Sequence, residues 1–391
     1  MNKRPFIILS AFLLLFSLIE KGQATETYRP ETSVAGFIQL SGSGRQVYNF
    51  NPGWRFFRGD VQGAEAVNFD DRSWNVVSTP HTVELMPAEG SGCRNYQGPA
   101  WYRKHFVLPA ETKGKRVVLH FEAAMGKQIL YLNGKRIQEH LGGYLPFTLD
   151  LTANGVQAGD SCLLAVFTDN SDDKSYPPGK RQYTLDFAYH GGIYRDVWMI
   201  AKSPVAITNA IDSQTVGGGG VFVHFDKISE KSAQVYVNTE VQNDDARSES
   251  VTVETTLTDA DGKVIKRSSG KLSLKPGEKK SIRQQMEVKN PTLWSPDTPY
   301  LYRVQSRIKK GNKSIDGGVT RVGIRLAEFR GKDGFWLNGK PFGQLVGANR
   351  HQDFAYVGNA LPNSQQWRDA KRLRDAGCTI IRVAHYPQDP A

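Results

Sequence analysis

Short apolar segments that alternate with polar residues, separated by turn residues, constrain this chain more than any other feature. Between residues 48 and 202 such segments recur, for example at residues 116–121 and 128–132, and helical periodicity of useful length is missing. Asn133-Gly134 follows the second segment, and this pair readily adopts the positive φ angles of a tight hairpin turn. Residues 45–203 are therefore predicted to form an antiparallel β-sandwich of jelly-roll type.

A second all-β unit is predicted over residues 204–325. Roughly seven strand-like segments separated by Gly, Pro and Asn turns are typical of an immunoglobulin-like sandwich. The clearest are residues 233–241, 250–257, 264–267 and 301–308. The cysteine pair and core tryptophan of antibody domains are missing, so the likeness is one of architecture. We expect the tetraglycine at residues 217–220 to form a flexible hairpin tip.

The pattern changes after residue 325. Residues 335–337 and 340–342 flank Asn338-Gly339 as a small hairpin, and residues 345–347 suit a buried strand. A helix capped by Asn363 or Ser364 is predicted to run to Ala376, with Trp367, Ala370 and Leu373 on one face and Gly377 at its end. Residues 379–383 are a continuous apolar strand, typical of burial on both faces of a parallel sheet. Strand, helix and strand in this order predict that residues 326–391 begin a (β/α)8 barrel of TIM type.

Composition excludes some classes of function. The 391 residues carry a formal net charge of +11, but the lysines and arginines are scattered in runs no longer than a pair. A solvated basic surface is the better interpretation, and we predict no nucleic-acid partner. The three cysteines, Cys93, Cys162 and Cys378, are too few for a disulfide framework and fit no zinc spacing. We expect them to be small buried residues.

The N-terminus has the pattern of a secretory signal peptide. Lys3 and Arg4 precede an apolar run at residues 6–19, and Gly22-Gln23-Ala24 supplies a small-residue exit. Residues 1–24 are therefore predicted to direct the protein to the periplasm or the exterior, with no transmembrane anchor after cleavage. A retained N-terminal anchor is the alternative.

Several segments, in order along the chain, resemble glycoside hydrolase family 2. In the first sandwich, Gly98-Pro99-Ala100-Trp101-Tyr102-Arg103 and Gly191-Gly192-Ile193-Tyr194-Arg195-Asp196-Val197 resemble that family's sugar-binding domain. In the later parts, the similar stretches are residues 293–302, Gly347-Ala348-Asn349-Arg350-His351 and Arg382-Val383-Ala384-His385-Tyr386-Pro387. The resemblance implies two sandwiches followed by a catalytic barrel. It also implies a retaining exo-β-glycosidase that removes terminal β-galactose from an oligosaccharide or glycan.

The resemblance also implies a sugar pocket at the barrel strand ends. Asn349, Arg350 and His351 follow the first strand and His385 follows the second, and barrel enzymes place function at these ends. The family likeness implies that the two histidines contact the sugar and that Arg382 pairs with the nucleophilic carboxylate. The alternative interpretation is that these are structural residues of the strand ends.

Asp186 lies five residues before Gly191. In β-galactosidases of the family, an aspartate at the matching position reaches from the first sandwich into the barrel pocket. There it binds sugar hydroxyls and, in some members, helps to hold a sodium ion. The resemblance therefore places Asp186 among the substrate-binding residues and allows for sodium or magnesium in the complete enzyme.

Catalytic residues are not predicted within this chain. A retaining glycosidase needs two carboxyl groups about 5–5.5 Å apart, and the family's Asn-Glu dipeptide occurs nowhere in the sequence. The segment from residue 326 is also far shorter than the about 250 residues of a complete barrel. We expect a truncated, inactive chain with two stable sandwiches and a poorly ordered or aggregation-prone tail. Two strands and one helix cannot close a barrel, so the apolar faces of Ile380 and Ile381 are expected to be uncovered. β-Glucuronidase, β-mannosidase and a non-catalytic carbohydrate-binding module remain alternatives.

Overall fold

The first part of the chain is a sandwich of two antiparallel sheets. The structure is a computed structural model that describes residues 31–32, 38–87 and 95–391. The predicted signal peptide and Cys93 lie outside the described residues. The strands are β1 Glu31–Thr32, β2 Gln46–Asn49, β3 Trp54–Arg58, β4 Asn75–Val77, β5 Pro99–Val107, β6 Arg116–Phe121, β7 Lys127–Leu132, β8 Lys135–Leu141, β9 Phe147–Asp150, β10 Ser161–Asp169 and β11 Val197–Lys202.

The two sheets follow from the alternation seen in the sequence. One has the order β4-β3-β5-β10-β7-β8 and the other β1-β2-β11-β6-β9. In β7, residues alternate between half-buried and buried because one face of the sheet covers the core. Trp54, Tyr102 and Phe121 lie in that core, each with no more than a trace of exposed surface. The predicted β7–β8 hairpin is confirmed, with Asn133 and Gly134 at φ 50° and 81°. Short 3-10 helices occupy Ala110–Thr112 and Gln182–Thr184.

The second sandwich packs two four-stranded sheets around an aliphatic core. Its strands are β12 Val205–Ile207, β13 Val221–Asp226, β14 Ser232–Asn243, β15 Glu249–Thr258, β16 Val264–Leu274, β17 Lys279–Lys289, β18 Tyr302–Lys310 and β19 Lys313–Val322. β14 pairs with β12, β13 and β17, and the other sheet has the order β16-β15-β18-β19. Val235, Leu257 and Val304 are buried between them. The predicted immunoglobulin-like architecture is thereby confirmed.

The tetraglycine is not a hairpin tip, and that prediction was wrong. Residues 217–220 lie in the connection between β12 and β13, which pair with β14 and not with each other. A side chain at Gly219 would come within 2.3 Å of Ser213 Oγ, and the Gly220 amide donates to Thr208 Oγ1 at 2.8 Å. Glycine is required there because the connection folds closely against its own first half.

The third part begins a parallel sheet. Its elements are β20 Ala327–Phe329, the 3-10 helix Gly331–Asp333, β21 Phe335–Leu337, β22 Lys340–Pro341, β23 Gly347–Arg350, the helix α1 Asn363–Asp375 and β24 Ile380–Val383. β21 and β22 form the predicted hairpin. β23 and β24 pair in parallel with α1 between them, so the predicted strand–helix–strand opening of a barrel is confirmed. Within the described residues, no helix is long and apolar enough to cross a membrane.

Details of this third part differ from the sequence predictions. The first barrel strand begins at Gly347 and not at Leu345. β24 is exposed, with Ile380 at 43% and Ile381 at 36%, as expected for two strands and one helix that cannot close a barrel. The fragment of sheet has no further layer over that face among the described residues, which explains the exposure.

The helix also departs from its prediction. No side chain caps α1, which follows Pro362, and the predicted capping residue Asn363 instead donates from Nδ2 to Asp196 Oδ2 at 2.9 Å. Trp367, on the predicted apolar face, is 62% exposed, whereas Gln366 is buried. α1 therefore docks through its polar residues.

Of the two described cysteines, Cys162 is buried and Cys378 is half-buried, and both are free. Burial raises the pKa of the Cys162 thiol to about 11. The thiol therefore stays protonated at neutral pH and packs as a small apolar side chain, as predicted.

Candidate functional site

The carboxyl ends of β23 and β24 lie side by side. The register pairs Asn349 with Arg382 and Arg350 with Val383. His351 directly follows β23, and His385 follows β24 after one intervening residue, through a cis Ala384–His385 peptide bond. Since barrel enzymes carry their functional groups at this end of the strands, this edge is the candidate site.

Four side chains from distant parts of the sequence converge at this edge. The rings of His351 and His385 are 5.4 Å apart and nearly perpendicular, at 79°. Phe187, from the first sandwich, lies 5.5 Å from the His351 ring and 5.6 Å from the His385 ring. Asp186 brings Oδ1 to 3.8 Å from His385 Nε2. Three of the predicted residues are thus brought together around a phenyl ring.

These groups keep hydrogen-bonding capacity for a ligand. The Asp186 side chain is 80% exposed and that of His385 is 32% exposed. Nδ1 of His351 is buried and has no hydrogen-bond partner among the described residues. A carboxylate accepts and an imidazole both donates and accepts, which suits the hydroxyl groups of a sugar. Phe187 adds an apolar wall of the kind that small-molecule sites combine with a few polar groups.

Sequence reasoning missed Phe187. Its neighbour Asp186 was selected through the family resemblance, and a lone phenylalanine in a loop carries no signal of its own. The available clue was the alternation in Leu185-Asp186-Phe187, because adjacent residues in an extended segment point in opposite directions. Leu185 and Phe187 both pack against the cluster around Tyr189 and Tyr386, which leaves Asp186 to face outward.

The guanidinium of Arg350 is hydrogen-bonded to residues of α1 and of the loop after β24. Its Nη2 donates to Gln366 Oε1 at 2.6 Å and to Asp369 Oδ2 at 2.9 Å, and Nη1 donates to Gln388. These bonds tie the end of β23 to the helix α1. They favour a supporting part for Arg350, and its predicted contact with sugar stays a prediction.

Asn349 and Arg382 form a pair on the exposed face of the two strands. Arg382 Nη1 donates to Asn349 Oδ1 at 3.3 Å. No described carboxylate lies within 4.0 Å of Arg382. Its guanidinium therefore remains open to a carboxylate, in line with the part the family resemblance implies for it, which stays a prediction.

The stretch Gly191–Val197 connects the first sandwich to the barrel segment, which was not predicted from the sequence. Arg195, almost fully buried, donates from Nη2 to the Pro387 carbonyl at 2.6 Å and to Gln352 Oε1 at 3.0 Å. Its Nε lies 3.9 Å from Asp389 Oδ2. Arg195 therefore fastens the first sandwich to the loops that follow both barrel strands. We call these contacts the docking interface, together with those that His190, Asp196 and Tyr144 make with the barrel segment.

The docking interface contains further direct bonds. His190 Nδ1 and its backbone amide lie 3.0 and 2.9 Å from Asn359 Oδ1, and Asn363 binds Asp196 as described above. The rings of Tyr144 and Tyr386 stack at 4.5 Å. The Tyr386 hydroxyl accepts from the backbone amide of Gln352 at 3.1 Å. This rigid contact fixes Phe187 and Asp186 relative to the histidines.

Three buried carboxyl groups surround the docking interface. Burial raises the pKa of Glu122 to about 8, with smaller contributions from the neighbouring Asp196 and Asp389. Burial also raises the pKa values of Asp196 and Asp389. Trp198 Nε1 donates to Glu122 Oε1 at 3.0 Å. Because the raised pKa values favour the protonated forms, the charge of these three groups changes with pH.

The loop that carries Asp186 is anchored at Asp172. This carboxylate accepts from Gln97 Nε2 at 2.8 Å and from the Gln182 amide at 3.0 Å, and also from the Tyr189 hydroxyl. Burial acts to raise the pKa of Asp172, but the hydrogen bonds outweigh it and lower that pKa. The loop is thus held from both of its ends.

The described residues do not bring together the carboxyl pair of a retaining glycosidase at this edge. Asp369 is bound to Arg350, Asp375 to Lys371, and Asp389 is buried beside Arg195. After Glu328 the chain contains no glutamate. Among the residues described, no group of three His, Cys, Asp or Glu side chains could hold a metal ion. A sodium or magnesium ion in the complete enzyme stays a prediction.

Comparison with known proteins agrees with this architecture. Residues 57–204 match the family model "Glycosyl hydrolases family 2, sugar binding domain", residues 219–325 match "Glycosyl hydrolases family 2", and residues 329–391 match "Glycosyl hydrolases family 2, TIM barrel domain". The fold and the family models thus define a protein of glycosidase type, with two sandwiches and the start of a barrel. The chain belongs to glycosyl hydrolase family 2.

Relatives with different names match to a similar degree. A "Beta-glucuronidase" of Formosa agariphila is 33% identical over 90% of this chain and 37% of its own length. A "Beta-galactosidase" of Thermoanaerobacter pseudethanolicus is 34% identical over 88% of this chain and 44% of its own length. The crystal structure of a Bacteroides uniformis beta-glucuronidase superposes with a TM-score of 0.79 at 32% identity, over 88% of this chain and 40% of that one. The chain therefore spans less than half the length of these relatives.

Proposed function

We propose that this chain forms part of the substrate-binding site of a retaining exo-β-glycosidase that acts on terminal β-galactosides. The observation that carries the proposal is the convergence of Asp186, His351, His385 and Phe187 at one barrel edge. An exo-acting enzyme holds a single terminal sugar, so a small site with several hydrogen-bonding groups and one apolar wall suits it.

Each group has a distinct part in this proposal. Asp186 accepts hydrogen bonds from two sugar hydroxyls, and His385, 3.8 Å away, is oriented by that carboxylate. His351 offers Nδ1 to a neighbouring hydroxyl. Phe187 excludes water from one side, which strengthens the hydrogen bonds formed beside it. Arg382 is left to bind and keep ionised a nucleophilic carboxylate that the described residues do not supply.

A β-glucuronide is the second candidate substrate. Relatives named beta-glucuronidase and beta-galactosidase match this chain at 33% and 34% identity. The described site presents one carboxylate, Asp186, that would repel the carboxylate of a glucuronide. This charge favours a neutral galactoside.

The test of sugar recognition is a titration monitored by NMR. Methyl β-galactoside and methyl β-glucuronide are each added to the chain, to His351→Ala and to His385→Ala. His224→Ala, in the second sandwich, is the control. We expect the galactoside to bind more tightly and each site variant to lose affinity about tenfold or more, which corresponds to about 1.4 kcal/mol. Unchanged affinity in both site variants contradicts the proposal.

Turnover is tested separately with a chromogenic β-galactoside. Since the described residues bring no paired carboxyl groups together at the site, we expect binding without hydrolysis by this chain. Hydrolysis above the buffer rate would overturn this part of the proposal.

We also propose that the protein is exported. Support comes from the basic start, the apolar run at residues 6–19 and the small residues at 22–24. Mass spectrometry of the protein recovered from a periplasmic or culture fraction is expected to find a chain that begins near residue 25. Recovery of the full N-terminus from the cytoplasm contradicts export.

A further inference from the structure

A polar cleft lies between the two sandwiches, far along the sequence from the residues of the candidate site. Its volume is about 390 Å³. One wall comes from the first sandwich, with Arg45, Arg116 and Lys202, and the other from the connection after β12 and the start of β17, with Lys279. Pockets for small molecules usually measure about 300–1,000 Å³, so the cleft has room for a single sugar ring.

The cleft presents mainly positive charge. Among its lining residues four are cationic and only Asp212 is anionic. The Asp212 carboxylate accepts from Thr148 Oγ1 at 2.7 Å. The lining therefore offers mainly cationic N–H donors, and such donors favour an anion in the cleft.

The two arginines are held in place by carboxylates that do not line the cleft. Asp316 binds Nε and Nη2 of Arg45 at 2.8 and 2.7 Å. Asp150 binds Nε of Arg116 at 2.5 Å, and Asp244 binds its Nη1. Each guanidinium keeps one terminal nitrogen without a hydrogen-bond partner among the described residues. Arginines fixed from behind in this way are preorganised for an oxyanion.

The two lysines have no carboxylate partner among the described residues. Lys202 Nζ donates to the Ile207 carbonyl at 3.2 Å, and Lys279 Nζ donates to the Ser213 carbonyl at 2.7 Å. Burial lowers the pKa of Lys202 to about 8, with a smaller contribution from nearby Arg45. A half-buried ammonium gains from a nearby anion, so the two lysines add to the preference of the cleft for an anionic ligand.

The rest of the lining suits a sugar ring. Val118, Ile200 and Ile207 are buried aliphatic residues that form an apolar floor, and Asn209 contributes an amide at the rim. A bare inorganic anion would use only the cations and leave most of the volume to water. From the charge, the volume and the mixed lining together, we propose that this cleft is a second binding site, for a monosaccharide-sized ligand that carries a carboxylate, sulfate or phosphate group.

The test is calorimetric titration of the whole chain at fixed ionic strength. The probes are glucose 6-phosphate, glucose 6-sulfate and glucuronate, with inorganic phosphate and glucose for comparison. We expect at least one charged sugar to bind tenfold or more tightly than inorganic phosphate, and glucose not to bind in the cleft. Which of the three binds most tightly identifies the oxyanion. Binding of inorganic phosphate that equals or exceeds that of every charged sugar overturns the assignment of ligand size.

Variants locate the site. Lys202→Gln combined with Lys279→Gln is expected to weaken binding of the charged sugar tenfold or more, whereas Lys202→Arg retains it. The exposed Lys340→Gln, whose lysine pairs with Glu230 on the barrel side, and His385→Ala are controls that leave it unchanged. The last control separates this cleft from the proposed galactoside site. Wild-type affinity in the double glutamine variant, with its circular dichroism unchanged, overturns the proposal.

Discussion

At the scale of single residues, the stretch Gly191–Val197 holds the first sandwich against the barrel segment and does not contact the histidines of the site. Arg195 and Asp196 do not reach the histidines but bind Gln352, Pro387 and Asn363. They act on the site by holding Phe187 and Asp186 against it. A change at Arg195 should therefore alter the geometry of sugar binding through the docking interface, without removing any contact to the sugar.

The first prediction at this scale concerns Glu122. Its pKa in the folded chain is about 8, whereas an unfolded glutamate titrates near about 4.3. Between these values the unfolded state has lost its proton while the folded state keeps it, so the free energy of unfolding falls as pH rises. Glu122→Gln cannot ionise and still accepts from Trp198.

We expect the variant to gain stability relative to wild type as pH rises from 4.5 to 8, by on the order of 3 kcal/mol. Urea unfolding at pH 5, 6.5 and 8 measures this difference. Glu328→Gln, a half-exposed carboxylate on β20, is the control. An equal difference at all three pH values contradicts the prediction.

Arg195 provides a second prediction. Arg195→Met keeps the aliphatic stem but leaves Asp389 buried without its cation, and breaking a buried pair in this way costs about 3–5 kcal/mol. The loss of stability should be confined to the docking interface. Hydrogen exchange measured by mass spectrometry is expected to speed up in α1 and β24 and to stay unchanged in β14 and β15.

The matched control is Arg330→Met, which removes a more exposed ion pair with Glu328 and should cost less than about 1 kcal/mol. Equal effects of the two variants on α1 would show that the buried position of Arg195 does not matter.

At the scale of elements, α1 shows what the sequence could and could not predict. Its limits were predicted to within a residue, because Gly377 and the apolar strand after it mark the end clearly. The apolar face of Trp367, Ala370 and Leu373 is not the face that packs inward. Gln366 is buried because Arg350 binds it, and Trp367 is exposed. Periodicity indicates which face is apolar, but it does not reveal which partner layer lies beside the helix.

The strands were easier to predict because alternation and turn residues are local signals. Arg116–Phe121 was predicted with its observed limits, and Asn133-Gly134 with its observed turn. Of the site, His351, His385 and Asp186 were found through the family resemblance and Phe187 was not. The docking interface joins residues more than 150 positions apart, and no local pattern encodes such a contact.

Gly358 gives a prediction at this scale. Its φ is +53°, and a Cβ there would lie 2.5 Å from the His190 ring. Gly331 has nearly the same φ, +55°, with nothing within 4 Å of its Cβ position. Alanine at either position costs about 1 kcal/mol for the backbone.

Gly358→Ala should cost a further 1–3 kcal/mol or so, because the ring has little room to move within a packed interface. The two variants are compared by urea unfolding, and His190 is followed by NMR. Equal losses in stability would mean that the His190 ring moves aside without cost, which contradicts the prediction.

At the scale of the whole molecule, limited proteolysis tests how the three parts hold together. We expect trypsin to cut near Arg325 and to leave the two sandwiches as a protected product. The docking interface should keep the cut barrel segment bound, so both pieces elute together in gel filtration. In Arg195→Met they are expected to separate. Uniform resistance through Ala391 in the wild type contradicts the prediction.

The docking interface also limits how this chain can exchange parts with a relative. Since Arg195, Asp196 and His190 bind backbone and side chains of the barrel segment, a first sandwich taken from a relative must supply the same contacts. We therefore expect a working chimera to keep the first sandwich and the barrel segment from one parent.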